Sequence, residues 1–212
     1  MGVYILIAAL VVIALIFLYI SAKTLISRNW FMKWLRGSFG FLAVLGTALS
    51  GIVAFNLLHY STVEEGQVIA TLRFIEVSPQ EFDVELVGRH KNNQFYRLEG
   101  DQWQLDVRLI KVAAWFDGDL PAYKLDRLSG RYLSLEQENQ TNKNAYDLLG
   151  SQFVDTWPWI ANKKWLGLVQ AKYGSATYMP MANGAIYQVR LFHDGLDAQA
   201  VNEQAKQALN SW

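Results

Sequence analysis

Two long stretches without a charged residue dominate the first quarter of the sequence. Residues 3–22 and residues 38–58 contain no Asp, Glu, Lys or Arg and are rich in Ile, Leu, Val, Ala and Phe. A helix of about 20 residues is long enough to cross the hydrocarbon core of a bilayer, which is roughly 30 Å thick. In lipid, a helix also satisfies all of its backbone hydrogen bonds internally. We therefore predict two membrane-spanning helices that form a hairpin within residues 1–60.

The positive charges of this hairpin lie in the connection between its apolar stretches. Residues 23–37 carry all four positive charges of the first 60 residues, and the first acidic residue of the chain is Glu64. Short loops rich in Lys and Arg stay in the cytoplasm. A cleaved signal peptide would have its charges before a shorter apolar run, so residues 3–22 are interpreted as an anchor. The pattern predicts a membrane protein with loop 23–37 cytoplasmic and both termini on the other side of the membrane, which in a Gram-negative bacterium is the periplasm.

The second apolar stretch carries a stripe of small residues. Its spacings of three and four put most of these residues on one helix face, and they are Ala43, Thr47, Ser50, Gly51 and Ala54, with Gly40 and Gly46 nearby. Gly46, Ser50, Gly51 and Ala54 are predicted to contact a partner. Small residues allow another helix to approach closely. The neighbour is either the first helix of the same chain or a helix of a membrane-protein partner. Neither stretch contains an Asp, Glu, Lys, Arg or His, on which ion-coupled transport usually depends, so transport by the hairpin alone is not expected.

Residues 61–212 are predicted to form a periplasmic domain of α+β class. The 150 or so residues suffice for one modest core. Alternating apolar and polar residues predict about four antiparallel strands in residues 67–115, with one face buried and the other solvated. A few short helices and a C-terminal surface helix complete the predicted fold.

Finer predictions follow from turn residues and from local periodicity. They are β-hairpins at the turns 99–101 and 183–184, a strand within 123–138 that breaks near 129–130, a short helix over 145–149, a helix over 157–165 capped by Asp155 or Thr156, and a last helix over 196–209.

The composition argues against several classes of function. The chain has 19 Lys+Arg and 19 Asp+Glu, of which the first 58 residues hold four basic and no acidic groups, so the remainder carries 15 − 19 = −4. Such a domain has no basic surface for nucleic acid. There is no cysteine, the three histidines are far apart, and no phosphate-binding loop, nucleophile elbow or zinc-protease motif occurs. We expect no catalytic residue, no metal and no cofactor.

Paired carboxylates are the nearest approach to a catalytic pattern. Asp83 with Glu85, and Asp117 with Asp119, stand two residues apart, so each pair shares one face if it lies on a strand. Such a pair could bind calcium or act as acid and base. The alternative is an ordinary solvated sheet face, which we favour.

Two segments of the second domain are candidate partner-binding sites. In the first, Arg127 and Arg131 flank a Ser-Gly pair and could present guanidinium groups to a carboxylate or phosphate. The alternative is pairing within the domain, with Asp126, Glu136 or Glu138.

The second candidate segment contains Tyr173 and Tyr178 among small residues and methionines. Aromatic and Met side chains are enriched at interfaces, although the segment could equally complete the core. Trp157, Trp159 and Trp165 lie close together in the sequence and either pack, face a partner or rest on the membrane surface.

Three segments resemble the signature blocks of a small family of Gram-negative inner-membrane proteins. They are GDQWQLDVRLIK (100–111), YKLDRLSGRYLSLEQE (123–138) and YGSATYMPMANGAIYQV (173–189). Members usually carry the label "cation/multidrug efflux pump" or "multidrug transporter". The resemblance spans most of the chain and implies no catalytic or transport residue. Because an energy-coupled pump needs a path through many helices or a nucleotide site, it implies at most an accessory subunit.

The sequence as a whole predicts a non-enzymatic inner-membrane protein, embedded in the lipid bilayer, that acts as an accessory or scaffold subunit of an envelope complex. The alternative is a membrane-anchored periplasmic sensor or a module that binds lipid or another small molecule.

Overall fold

A computed structural model describes residues 2–25, 30–89, 93–112, 121–140, 145–150, 155, 157–161, 169–175, 178–192 and 195–212. Its helices are α1 (Gly2–Leu25), α2 (Trp30–Leu57), α3 (Leu135–Gln140), α4 (Trp157–Ala161) and α5 (Glu203–Asn210). Its strands are β1 (Ser61–Thr62), β2 (Val68–Ser78), β3 (Glu81–Gly88), β4 (Gln94–Glu99), β5 (Gln102–Val112), β6 (Ala122–Arg131), β7 (Ala145–Asp147), β8 (Val169–Ser175), β9 (Met179–Pro180), β10 (Ile186–Phe192) and β11 (Gly195–Ala200).

The chain divides into two compact units. The first comprises Met1–Thr62, Lys111–Asp119 and Gln152–Gln170, and the second comprises Val63–Ile110, Leu120–Ser151 and Ala171–Trp212. The first unit is therefore more than the N-terminal hairpin, since two segments from much later in the chain belong to it.

Both helices of the hairpin are long and apolar enough to cross a membrane. They extend beyond the uncharged stretches, because α1 ends at Leu25 and α2 already begins at Trp30. The prediction of a loop over 23–37 was therefore wrong for residues 23–25 and 30–37, and residues 26–29 lie outside the described part of the chain. The physical reason is that Lys and Arg are good helix formers and aromatic residues are tolerated in helices, so the end of an uncharged run does not mark the end of a helix.

The two helices pack along their small residues and expose most of their other side chains. Thr47 on α2 donates its hydroxyl to the carbonyl oxygen of Ala14 on α1 at 3.2 Å and to that of Ala43, one turn earlier, at 2.9 Å. Only 6% of the residues in the apolar window of α1 and 17% of those in α2 are buried. A core helix of a water-soluble domain would be mostly buried, so the low burial of these helices favours a membrane anchor.

The second unit consists of two sheets that pack face to face. One sheet has the order β11-β10-β2-β3-β4, and the other places β5 between β6 and β8, with β7 beside β6 and β9 beside β5. Alternate residues of both sheets point inward and form a single core. The α+β prediction, with two N-terminal apolar helices, a mostly antiparallel β domain, short helices and a C-terminal helix, is confirmed.

The centre of this core is a cluster of three aromatic rings. Trp103 of β5 lies 5.8 Å from Phe74 of β2 and 5.4 Å from Tyr187 of β10, measured between ring centroids. The Tyr187 hydroxyl donates to the carbonyl oxygen of Pro180 at 2.8 Å. All three side chains are at most 1% exposed, so the interior between the sheets is filled by side chains.

The predicted hairpin at 99–101 was wrong, because β4 and β5 belong to different sheets. Gly100 has φ +131°, and a Cβ added to it would lie 2.6 Å from the carbonyl oxygen of Arg131. Only glycine tolerates both conditions, so the chain turns a tight corner there and passes from one sheet to the other. The turn at 183–184 is present, but its flanking strands β9 and β10 also lie in different sheets, so that hairpin prediction was wrong too.

Three further local predictions were wrong. Strand β6 runs without a break through Ser129 and Gly130, and residues 145–147 form strand β7 instead of a helix. The last helix begins only at Glu203, since Leu196–Ala200 belongs to β11. In each case pairing with a neighbouring strand outweighs local helix or turn preference.

Side chains just before α4 and α5 accept hydrogen bonds from backbone N–H groups of these helices. Asn202 caps α5 by accepting a hydrogen bond from the Ala205 backbone N–H at 3.1 Å. Of the two residues predicted as the cap of α4, Asp155 and Thr156, the Asp155 carboxylate accepts the Trp157 backbone N–H at 2.9 Å. The later part of that predicted helix, 162–165, lies outside the described residues, as does Thr156.

Burial of Tyr187 predicts loss of stability at high pH. Burial raises the pKa of its hydroxyl from 10.0 to about 12. The raised pKa belongs to the folded state, so the folded protein holds the hydroxyl proton more tightly than the unfolded chain does. The resulting contribution to the unfolding free energy is fully present below pH 10 and is lost as the pH rises toward 12, by about 1.4 kcal/mol per pH unit. We expect the unfolding free energy of the full-length protein to fall more steeply over this range than that of Tyr187→Phe. Parallel slopes would contradict this assignment.

Candidate functional site

The small residues of α2 lie in two different surroundings. Gly46 faces α1, since a Cβ added to it would lie 3.2 Å from Cδ2 of Phe17. A Cβ added to Gly51 would meet nothing within 4 Å. The first glycine therefore serves packing within the hairpin, whereas the second leaves space beside it.

This space belongs to an apolar groove between α1 and α2. The groove has a volume of about 120 Å³ and includes Ser50, Gly51 and Ala54 in its wall, together with Leu10, Val11, Ala14, Leu15, Leu18 and Thr47. Small residues on one wall and branched apolar residues on the other suit a side chain from a third helix or a lipid chain. Three of the four predicted partner-binding residues of α2 thus line one groove, and Gly46 lies at the helix contact beside it.

Arg127 forms an ion pair within its own domain. Its Nε and Nη2 donate to one oxygen, Oδ2, of Asp106 at 2.9 and 2.7 Å, and this hydrogen bonding raises the pKa of Arg127. Asp106 was not among the predicted partners Asp126, Glu136 and Glu138. The reason is register, since Arg127 of β6 lies directly opposite Asp106 of β5.

Arg131 and Tyr178, from the two predicted partner-binding segments, come together. The guanidinium carbon of Arg131 lies 4.7 Å from the centroid of the Tyr178 ring, which is a cation–π contact. Strand β9, which begins directly after Tyr178, pairs with β5, and Arg131 pairs with β5 at Gln102 from the other side. Arg131 forms no ion pair with any described residue and is exposed, so this pair presents a guanidinium group at the surface.

Tyr173 lies apart from this pair. It is 53% exposed on β8. Its neighbour Gly174 packs on Leu109, near the end of β5, whereas Tyr178 is next to the residues that pair with the start of β5. The two tyrosines are therefore separated by most of the length of that strand.

The sequence did not indicate that the polar face of β5 and β6 would be buried. Arg108 donates from Nε to Oδ1 of Asp126 at 2.7 Å, and these side chains are 9% and 15% exposed. Asp106 and Lys124, on the same strands, are also buried. Burial raises the pKa of Asp126, and the neighbouring Arg108 opposes this rise. Alternation alone assigns these residues to a solvated face, and only their unusual density of paired opposite charges could have suggested otherwise.

The acidic residues of β3 form exposed ion pairs. Arg97 donates from Nε to Asp83 at 2.8 Å and lowers the pKa of that carboxyl, while Glu85 pairs with Arg73 at 3.4 Å. The arrangement is that of a solvated sheet face with cross-strand charge pairs. Asp117 and Asp119 lie outside the described part of the chain.

No group of three His, Asp or Glu side chains suited to a metal ion occurs among the residues the structure describes. His59 follows α2 and its Nδ1 lies 2.9 Å from the carbonyl oxygen of Phe55, while His90 and His193 lie outside the described residues.

A shallow groove occurs at the end of the sandwich near the C-terminus. It has a volume of about 260 Å³, and its wall includes Phe82, Leu133, Met181 and Trp212. Asp101 organises one side by accepting hydrogen bonds from the Gln80 side chain at 2.7 Å and from the Leu133 backbone N–H at 2.9 Å. The groove is somewhat smaller than the roughly 300–1,000 Å³ of common small-molecule sites.

These features define a class of protein: two helices able to span a membrane, followed by a mostly antiparallel β domain with a filled core. Comparisons with protein-family models, with curated proteins and with solved structures find no match to this chain.

Proposed function

We propose that this chain is a non-enzymatic subunit or scaffold of a bacterial inner-membrane complex, anchored by α1 and α2 with both termini in the periplasm. The orientation rests on the positive charges Lys23, Lys33 and Arg36, which flank the connection between the helices. The resemblance of three sequence blocks to a family labelled as efflux proteins supports an accessory role near such a machine.

The observation that carries this proposal is the open flank of Gly51. A hairpin that served only as an anchor would need its small residues where its own helices meet, as at Gly46. Beside the buried Ala54, the groove at Ser50 and Gly51 leaves room for the close approach of a helix from another membrane protein.

The exposed Arg131–Tyr178 pair is the second proposed contact. Arginine and tyrosine are enriched among the residues that dominate binding energy at interfaces. Stacking on Tyr178 restricts the Arg131 side chain before any partner arrives, which lowers the entropic cost of binding. Arg127 is expected to contribute less to partner binding, because its guanidinium group already donates two hydrogen bonds to Asp106.

The test is capture of the tagged full-length protein from gently solubilised native membranes, with mass spectrometry of what accompanies it. A stoichiometric protein partner should accompany the wild type and should be lost from Gly51→Leu, because the added side chain fills the groove. Gly37→Leu is the matched control, since it makes the same change on α2 at another glycine whose Cβ position is open. Retention of the partner by Gly51→Leu, at wild-type amounts, would rule out docking at this groove.

A second candidate function is a sensor or small-molecule-binding module. It is favoured by the groove near Leu133 and Trp212, since the interior of the sandwich is filled by Trp103, Phe74 and Tyr187. The same capture experiment separates the two candidates. Recovery with only lipid or a small molecule attached would overturn the subunit proposal in favour of this one.

A further inference from the structure

Four of the eight tryptophans of the chain occur in the two late segments that join the first unit. These segments, Lys111–Asp119 and Gln152–Gln170, belong to the same compact unit as the hairpin although they are at least 50 residues away from it in sequence. The part of them that the structure describes in most detail is α4.

Helix α4 presents one tryptophan inward and one outward. Trp157 is 3% exposed, and the carboxylate of Asp155 accepts its backbone N–H. Two residues later Trp159 is 55% exposed, and Ala161 is exposed as well. Because the side chain of Trp157 is buried, the orientation of α4 is fixed, and the Trp159 side chain lies on its more exposed side.

The surroundings of this unit include lipid. Side chains along the middle of α1, such as Leu15 at 58% exposure, point outward. Helix α4 has five residues, too few to cross the hydrocarbon core by itself. A short helix in the same compact unit as a spanning hairpin therefore meets the bilayer at headgroup level.

An exposed tryptophan fits that level better than it fits water or hydrocarbon. The indole is a large apolar ring with one N–H donor, and tryptophan is enriched at the membrane–water interface for this reason. We propose that α4 lies in the headgroup region on the outer side of the membrane and inserts Trp159 there, as a second membrane contact that fixes the later part of the chain against the bilayer. This proposal rests on α1 and α2 crossing the membrane.

The absence of cysteine permits a direct test with single-cysteine variants of the full-length protein. Ala161→Cys and Trp159→Cys report on α4, Leu15→Cys reports on the middle of α1, and Lys206→Cys is a water-exposed reference on α5. Each variant is labelled with a small fluorophore and reconstituted into phosphatidylcholine vesicles. Quenching is compared for nitroxide in the lipid headgroup, nitroxide deep in the acyl chain, and iodide in water.

We expect the labels on α4 to lose most fluorescence with headgroup nitroxide, the Leu15 label with acyl-chain nitroxide, and the Lys206 label with iodide. Because Ala161→Cys keeps both tryptophans of α4, it separates the location of the helix from the effect of removing Trp159. Quenching of both α4 labels by iodide alone, while the Leu15 label responds to acyl-chain nitroxide, would overturn the proposal and leave the anchor intact. A Leu15 label insensitive to lipid nitroxide would overturn the anchor and this inference together.

Discussion

Replacement of Arg108 by alanine is expected to destabilise the second unit by about 3–5 kcal/mol, because it leaves the Asp126 carboxylate buried without its cation. The two side chains are 9% and 15% exposed and are joined by a hydrogen bond of 2.7 Å. The measurement is urea unfolding of the full-length protein in a mild detergent, followed by near-ultraviolet circular dichroism. This signal reports the packing of the aromatic core.

The pH dependence of the stability of Arg108→Ala identifies the cause of its destabilisation. Burial already raises the pKa of Asp126, and Arg108 is the neighbour that lowers it. Without Arg108 the folded-state pKa rises further above the unfolded value, so the variant regains stability as the pH falls and the buried carboxyl takes up a proton. A destabilisation that is constant down to acidic pH would show that lost packing, and not an unpaired charge, is responsible.

Two further variants test whether burial of the Arg108–Asp126 pair is the cause. The Arg97–Asp83 pair is closely similar in length, at 2.8 Å, but its side chains are 52% and 47% exposed, so Arg97→Ala should change stability little. The double variant Arg108→Leu with Asp126→Leu should be more stable than Arg108→Ala, because it removes both buried charges and keeps apolar volume. Equal losses in the Arg108 and Arg97 variants would contradict the role assigned to burial.

The predictable parts of this fold are those fixed by composition over many residues. Two uncharged stretches of about 20 residues predict spanning helices whatever their neighbours are, and alternation along β2 and β3 predicts strands with a buried face. The helix ends were not predictable from charge, since Lys33 and Arg36 continue α2 instead of preceding it.

What the sequence could not predict is decided by pairing between distant segments. The residues around Gly100 are typical of a hairpin turn. The chain instead passes from one sheet to the other there, and Gly100 lies against the backbone of Arg131, which is about thirty residues later in the sequence. Leu196–Ala200 fits a helical pattern as well as a strand, and pairing with β10 decides the outcome. Local patterns leave such choices open, because β-structure depends on which neighbour is available.

The candidate binding surfaces likewise depend on which distant segments pack together, which the sequence does not show. The sequence singled out Arg131 and Tyr178 separately, and only the pairing of β6 and β9 with β5 brings them within 4.7 Å of each other. It also grouped Gly46 and Gly51 together. Only the position of Phe17, close to Gly46, shows that Gly46 packs against α1 whereas Gly51 has free space beside it.

Replacement of Trp103 by alanine is expected to cost about 3–5 kcal/mol, the range typical for truncation of a large buried aromatic residue. The side chain is 0% exposed and contacts the rings of Phe74 and Tyr187, which belong to the opposite sheet. Its removal leaves a cavity where the two sheets are held together. The same urea titration should show a much lower midpoint, while Phe95→Ala, at an exposed position of β4, should leave the midpoint unchanged.

Trp103→Phe distinguishes ring packing from the polar group of the indole. The Nε1 of Trp103 is buried and has no hydrogen-bond partner among the described residues, so phenylalanine removes an unsatisfied donor while it keeps an aromatic ring. Its cost should therefore be well below that of alanine, and an equal cost would contradict the cavity argument. The comparison also separates folding from binding, because Trp103→Ala should reduce partner capture together with the folded fraction, whereas Gly51→Leu should reduce capture with the urea midpoint unchanged.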